Sequence, residues 1–246
     1  MQFYSVTDCG KTRPNNEDFC CAEVINGFTV MILADGMGGY RGGEIASSGA
    51  VETVIEYLRK NLQKYSSPKQ VFEAMHAALY YANKNLFNLA AESVTLEGMG
   101  TTIDIAISNN HELFIAHVGD GRVYKISGDG KIRKITRDHS LVEYMVERGE
   151  ITPQEAAVHP QRHIITRALG TDYTINADMI TESITSKDTI LLCSDGLTGM
   201  LSDEKILSVV TESKQLSDTA QTLVRLANEA GGKDNITVII ARLEEV

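Results

Sequence analysis

The sequence predicts an α+β fold in which two antiparallel sheets pack against each other and helix pairs cover their outer faces. Strand-like and helical runs follow one another in blocks (strands, two helices, strands, two helices, a strand) rather than in strict alternation. Several strand-like runs are apolar at almost every position, which means that both of their faces are covered. Since the sequence contains no repeat, low-complexity tract or Gly/Ser linker, we expect a single domain over residues 1–246.

The elements are predicted in order from their hydrophobic periodicity. Short apolar runs predict strands near residues 19–25, 28–34, 101–107, 112–118, 122–126, 188–194 and 235–243. Apolar residues spaced by three and four predict helices over residues 45–58, 71–86, 203–213 and 217–230. The sequence GDGK at 128–131 is typical of a hairpin turn.

Residues 137–170 form the least regular stretch of the chain. They contain two prolines, three histidines and the short amphipathic sequence SLVEYMVERGE. Long irregular segments in compact domains are often functional loops. We therefore expect a surface flap here.

Composition excludes several classes of protein. The formal net charge is −10, and no Lys/Arg cluster is present that would bind nucleic acid. No run approaches the length of a membrane span, and the N-terminus lacks a charged segment followed by an apolar one. The four cysteines have no CxxC spacing, so we expect buried thiols rather than a zinc site or disulfides. The protein is expected to be cytoplasmic.

Acidic residues recur at the ends of the strand-like runs, beside glycine. Asp35, Asp120 and Asp195 each follow such a run, whereas Asp234 precedes one and the pair Glu17–Asp18 precedes another. One Asp-Gly pair is usually a turn, but this many acids at strand ends can converge on one point. Because clustered carboxylates repel one another unless cations lie between them, the pattern predicts a multinuclear site for a hard divalent metal.

The motifs around these acids resemble a known family. TRPNNED, ADGMGG, GMGTTI, VGDGRVY, HPQRHIITRALG, CSDGL and GGKDNIT occur in this order across nearly the whole chain. Together they resemble the metal-dependent protein phosphatases of type 2C, particularly the bacterial single-domain members. The resemblance implies a four-layer αββα sandwich and hydrolysis of phosphoserine and phosphothreonine. The attacking water or hydroxide would bridge two Mn²⁺ or Mg²⁺ ions.

The resemblance also implies a role for each acid. Asp35 would bridge the two ions, the Gly36 carbonyl would bind one of them, and Asp195 and Asp234 would complete the other. Asp18 with Glu17 would hold metal-bound water. Asp120 with Asp195 would form a weaker third metal site. Gly121 stands where relatives usually have serine, and this difference bears on the third site.

Two further residues are candidates for catalysis. Arg13 matches the arginine with which the family binds phosphate, and its planar fork suits a phosphate dianion. The alternative is an ion pair with Glu17. Tyr40 occupies the position where the family commonly has a histidine that protonates the leaving oxygen. Its alternative role is to pack at the start of the next helix.

The replacement of histidine by Tyr40 predicts a preference for good leaving groups. A phenol with a pKa near 10 is a poorer proton donor than imidazolium, and general acid catalysis contributes about 10²–10⁴-fold. An aryl phosphate needs little protonation, whereas a serine alkoxide needs much. His139, His159 and His163 of the flap are alternative donors, although such histidines are more often plain polar residues.

Three functions follow from these residues. The leading one is a phosphatase, acting as a monomer on phosphoproteins and opposing a serine/threonine kinase. The second is a binding module for phosphoproteins, which the complete set of acids disfavours. The third is a nucleotide-handling enzyme, for which the expected GxxxxGK[ST] loop is missing.

Overall fold

The computed structural model describes residues 1–38, 41–64, 66–109, 111–213 and 215–243. The strands are β1 (Gln2–Asp8), β2 (Asp18–Ile25), β3 (Phe28–Met37), β4 (Gly100–Thr101), β5 (Ile103–Ser108), β6 (Glu112–Val118), β7 (Arg122–Ser127), β8 (Lys131–Lys134), β9 (Asp178–Ser183), β10 (Thr189–Cys193) and β11 (Ile236–Arg242). The helices are α1 (Gly42–Asn61), α2 (Pro68–Glu92), α3 (Leu141–Glu147), α4 (Pro153–Val158), α5 (Asp195–Thr198), α6 (Asp203–Glu212) and α7 (Leu216–Glu229). A 3₁₀ turn covers Val94–Leu96.

The strands form two antiparallel sheets. One has the order β1-β11-β10-β7-β8, and the other has the order β2-β3-β5-β6-β9, with β4 paired to β3. The turn β6–β7 joins the two sheets, so the residues of this turn lie where the sheets meet.

Four layers result, with a hydrophobic core in each of the three spaces between them. Helices α1 and α2 cover the sheet that contains β3, and helices α6 and α7 cover the sheet that contains β11. The third core lies between the sheets. Strand β10 shows the consequence, because Leu191 packs toward the helices whereas Ile190 and Leu192 pack between the sheets. The predicted α+β fold with two central antiparallel sheets is confirmed.

Three strands are missing from the sequence prediction. β1 and β9 mix polar and apolar residues, and their residues are either exposed or only partly buried. β8 is four residues long and carries three basic side chains. All three lie at the edges of the sheets, where one side of the strand faces solvent and a continuous apolar run is not required. The GDGK hairpin turn is confirmed, since β7 and β8 pair on either side of it.

The flap segment, residues 137–170, contains the two short helices α3 and α4. Ser140 caps α3 by accepting a hydrogen bond from the Glu143 N–H group. Thr152 and Glu155 form a reciprocal capping box on α4, and Pro153 occupies its first turn. Local capping therefore orders a segment that has no strong hydrophobic periodicity.

Candidate active site

The predicted acidic residues converge on one cavity at the edge of the sandwich. The cavity has a volume of about 620 Å³. Its lining includes seven of the nine residues singled out from the sequence: Arg13, Glu17, Asp35, Gly36, Asp120, Asp195 and Asp234. Asp18 is buried, and its Oδ2 atom accepts a hydrogen bond from the Ser194 hydroxyl. Tyr40 lies outside the described residues.

Strand pairing explains why distant residues meet here. Asp18 and Asp35 are directly opposite each other in the antiparallel pair β2–β3. In the other sheet, Asp195 follows the end of β10 and Asp234 comes two residues before the start of β11. Because β10 and β11 are antiparallel neighbours, these two residues lie at the same edge. Asp120 lies in the turn β6–β7.

The charges of this cluster are unfavourable when it contains carboxylates alone. Burial, followed by repulsion from Asp18 and Asp195, raises the pKa of Asp35 well above its ordinary value. Burial also raises the pKa of Asp18 and of Asp120 to about 7. The pKa of Asp195 is raised by burial and by Asp234. Cations bound among these carboxylates would remove the repulsion.

Orphaned oxygen atoms show that the residues fit a hard divalent metal. Asp18 Oδ1 and Asp195 Oδ1 are buried and have no hydrogen-bond partner among the described residues. Carboxylate and carbonyl oxygens are the ligands that Mg²⁺ prefers. In the described ranges, no three His, Cys, Asp or Glu side chains already surround a common ion position. The fit therefore rests on the donor chemistry and on the unpaired oxygens.

Gly36 has no room for a side chain. A Cβ atom at this position would collide with the carbonyl oxygen of Gly43 and would lie 2.7 Å from that of Glu17. The Gly36 N–H group donates to the Glu17 carbonyl at 3.0 Å. Glycine thus allows the backbone that carries Asp35 to approach Glu17, the residue before β2.

Arg13 forms an ion pair, but with a different partner from the predicted alternative. Its Nη2 atom lies 2.8 Å from Asp234 Oδ2, rather than beside Glu17. Partial burial disfavours the charge, but Asp234 raises the pKa of the Arg13 guanidinium. Because 48% of this side chain is exposed at the edge of the cavity, it is accessible to an incoming anion.

The flap histidines differ in position. His163 lines the cavity, whereas the buried His139 and the capping residue His159 do not line it. His139 Nδ1 accepts a hydrogen bond from the Gly119 N–H group, and burial lowers its pKa to about 4. His159 Nδ1 accepts from the Gln161 N–H group. His163 is therefore the flap histidine placed to contact a ligand.

Sequence reasoning missed several residues that build the site. Asn235 Oδ1 accepts from the Glu17 N–H group, and its Nδ2 atom donates to two carbonyls of the loop before β2. Thr102 Oγ1 accepts from the Asp35 N–H group at 3.0 Å. Both residues lie within the motifs GGKDNIT and GMGTTI. The cationic residues Arg162 and Lys233 also line the cavity.

Comparison with known proteins identifies similar chains. The sequence profile of the family "Protein phosphatase 2C" matches residues 9–236. Protein phosphatase PhpP of Streptococcus pneumoniae serotype 2 is 38% identical over 247 residues, which cover 100% of this chain and 98% of PhpP.

Solved structures show the same similarity. The serine/threonine phosphatase of S. agalactiae is 36% identical and superposes with a TM-score of 0.93 over 99% of both chains. The catalytic domain of the serine/threonine protein phosphatase PstP, solved with two manganese ions, is 31% identical with a TM-score of 0.86. It covers 99% of this chain and 98% of its own.

Proposed function

This chain belongs to the protein phosphatase 2C family and is a serine/threonine protein phosphatase, and we propose that it works with two Mn²⁺ or Mg²⁺ ions. The observation that carries the proposal is the convergence of partly buried, mutually repelling carboxylates on one cavity. The two manganese ions of the PstP structure support the same interpretation.

The proposed metal ligands follow the predicted roles. Asp35 and the Gly36 carbonyl would hold one ion, and Asp35, Asp195 and Asp234 would hold the other. Glu17 and Asp18 would orient water at this site. Such ions would supply Lewis-acid chemistry that lowers the pKa of a water molecule and neutralises charge on the phosphoryl oxygens.

Asp120 has a separate proposed role. With Asp195 it forms a weaker third metal site. Its raised pKa means that protons compete with a metal ion for this carboxylate near neutral pH.

Arg13 is proposed to bind the substrate phosphate. Its guanidinium is partly exposed at the cavity and pairs with Asp234 through one nitrogen. The planar guanidinium fork can donate two hydrogen bonds to phosphate oxygens. In this role the arginine would orient the phosphoryl group for in-line attack.

The proton donor to the leaving oxygen is a separate question. We propose Tyr40 for this role, and its weak acidity then favours substrates with good leaving groups. His163 is the alternative, since it lines the cavity. Tyr40→His is expected to raise turnover of a phosphothreonine peptide relative to an aryl phosphate. An unchanged ratio of the two rates would contradict a donor role for residue 40.

The proposal extends to the cellular setting. The substrates are phosphorylated proteins, and the enzyme opposes a serine/threonine kinase as a cytoplasmic monomer. Over the part of the chain that the structure describes, no helix is long and apolar enough to cross a bilayer.

The first experiment is phosphate release from a phosphothreonine peptide. We expect release with Mn²⁺, its loss with excess chelator, and a loss of at least about a hundredfold in Asp35→Asn. Asp129→Asn is the matched control, because Asp129 lies in the exposed turn between β7 and β8 and pairs with Lys131. Phosphate release that persists in excess chelator and in Asp35→Asn would contradict the metal mechanism. Mn²⁺ binding without any release would instead favour a phosphoprotein-binding module.

A further inference from the structure

A buried charged pair lies in the central sheet, outside the lining of the cavity. Asp104 on β5 and His117 on β6 are opposite each other in the strand register. Their side chains are fully buried, and His117 Nδ1 lies 2.7 Å from Asp104 Oδ1. The other ring nitrogen, Nε2, lies 2.9 Å from the carbonyl oxygen of Arg137. Because a carbonyl can only accept, Nε2 must carry a proton.

Stability alone is a weak reason for such a pair. Burying two charges costs desolvation energy, and apolar replacements of similar volume are often neutral or stabilising. Burial disfavours the imidazolium, but Asp104 raises the pKa of His117 overall. The second oxygen, Asp104 Oδ2, is buried without a hydrogen-bond partner among the described residues. The arrangement therefore calls for a role beyond filling the core.

His117 contacts the first residue of the flap segment. Two residues further on, the ring of His139 lies 4.6 Å from the ring of His117, measured between centroids. The backbone of His139 donates to the Gly119 carbonyl at 2.6 Å, and the Gly119 N–H group donates to His139 Nδ1 at 3.1 Å. Hydrogen bonds thus hold the first residues of the flap, 137–139, at the end of β6. These three residues are called the flap root below.

Residues at the start of the flap also form backbone hydrogen bonds with residues 164–166, near its other end. The Thr166 N–H group donates to the His139 carbonyl at 2.7 Å, and the Leu141 N–H group donates to the Ile164 carbonyl at 2.8 Å. The same returning segment contributes Arg162, His163 and Ile165 to the lining of the catalytic cavity. A continuous set of contacts therefore joins the Asp104–His117 pair to the cavity wall.

We propose that His117, oriented by Asp104, is a positioning residue that holds the flap segment against the sheet and thereby places residues 162–165 beside the substrate. The inference rests on the proposed function for its effect on catalysis. Its structural part, the fixed position of the flap root, can be measured independently of activity.

The test separates the two ring nitrogens of His117. Asparagine places its amide close to the position of Nδ1, whereas glutamine reaches close to the position of Nε2. Both substitutions are made together with Asp104→Asn, so that neither variant buries an unpaired carboxylate. Asp104→Asn alone is the conservative parent, because its amide can still donate to His117 Nδ1.

Amide hydrogen exchange gives the first measurement. We expect the parent and Asp104→Asn/His117→Gln to keep protection at residues 139, 141 and 166, whose N–H groups form the contacts above. Asp104→Asn/His117→Asn should lose about tenfold or more of that protection, the effect of one hydrogen bond to a charged or buried group. Exchange in α7 serves as the internal control and should be unchanged.

Kinetics gives the second measurement. We expect the asparagine variant to raise KM for a phosphothreonine peptide by about tenfold relative to the glutamine variant, with a smaller change for an aryl phosphate. Equal exchange and equal KM in the two variants would overturn the positioning role. If the parent has no phosphatase activity, the proposed function fails, and hydrogen exchange still decides whether His117 holds the flap. If the asparagine variant does not fold, the test is the comparison of wild type with the glutamine variant. Lower protection of residues 139, 141 and 166 in the glutamine variant would then overturn the proposal.

Discussion

Two carboxylates a short distance apart in the chain, Asp120 and Asp138, have similar partial burial but opposite electrostatics. Asp138 receives hydrogen bonds from the Arg122 guanidinium and from Lys134 Nζ. Burial opposes its ionisation, but these cations outweigh the effect and lower its pKa. For Asp120, burial is reinforced by repulsion from Asp195, and its pKa is raised to about 7.

The difference shows that partners, rather than burial, decide whether a partly buried carboxylate is structural. Asp138 lies in a satisfied network at the root of the flap, where the charges are neutralised within the protein. Asp120 belongs to a cluster in which carboxylates are neighbours and some oxygens have no partner. Such a cluster is unfavourable for the protein alone, which is why it indicates a site for an external cation.

The largest expected effect that tests this comparison concerns Asp195→Asn. Removing one charge from the cluster should reduce Mn²⁺-dependent turnover at least about a hundredfold. The same change should raise the melting temperature in excess chelator, because it relieves repulsion with Asp234. Turnover and thermal unfolding are measured on the same preparation. A lower melting temperature in chelator would mean that Asp195 is structurally paired, contrary to the comparison.

Asp138→Asn should show the reverse pattern. It leaves Arg122 and Lys134 without their shared carboxylate, and breaking a largely buried ion pair costs about 3 kcal/mol of unfolding free energy. Denaturant unfolding measures the loss. Turnover of an aryl phosphate at saturating Mn²⁺ should fall less than tenfold, since Asp138 does not line the catalytic cavity. A loss of activity as large as that of Asp195→Asn would erase the distinction between the two carboxylates.

The pH dependence of stability provides a smaller effect with a defined sign. Asp18 and Asp120 have their pKa raised from 3.8 to about 7 in the folded protein. Between these values the folded state binds more protons than the unfolded state, so the unfolding free energy falls as pH rises. In chelator, the melting temperature should drop by at least about 5 °C between pH 5 and pH 7.5.

Two additions make the pH experiment decisive. Asp120→Asn removes one titrating group and should reduce the slope. Saturating Mn²⁺ should abolish the slope, because a metal ion keeps these carboxylates deprotonated in the folded state, as they already are in the unfolded state above pH 5. A melting temperature that rises with pH in chelator would show that the cluster is already neutralised by protein groups.

The same physics explains how much of the fold could be predicted from the sequence. Central strands such as β3, β10 and β11 are buried on both faces, so their apolar runs are visible without any structure. Edge strands have one face or one side in solvent, and their patterns resemble those of loops. β9 was missed for this reason, since its burial is mostly partial.

The sequence predicts those site residues that lie at the ends of apolar strands. Asp35 and Asp195 are visible because an acid interrupts an apolar run beside glycine. Asp104 lies inside the run IDIAIS, and nothing in the local pattern indicates that His117 faces it across the sheet. Pairing between strands, rather than composition, brings these two residues together. The partner of Arg13 was mistaken for a similar reason, because Asp234 is 221 residues away.

The smallest predicted effect concerns Gly121, which lies against the Asp104 carboxylate beside the turn β6–β7. A Cβ atom on Gly121 would collide with Asp104 Oδ2, so this glycine is required by the buried pair beneath it. Gly121→Ala should cost about 1–3 kcal/mol of unfolding free energy, the usual cost of overpacking.

In an Asp104→Ala background the same substitution should cost less, because the colliding carboxylate is gone. The interaction energy from the double-mutant cycle should therefore be about 1 kcal/mol or more. Gly49→Ala is the matched control, since a Cβ there meets Leu86 at an ordinary 3.5 Å. An additive cycle would mean that the turn adjusts freely around position 121. The position of Asp120 would then be independent of the Asp104–His117 pair. Only the flap root would depend on that pair.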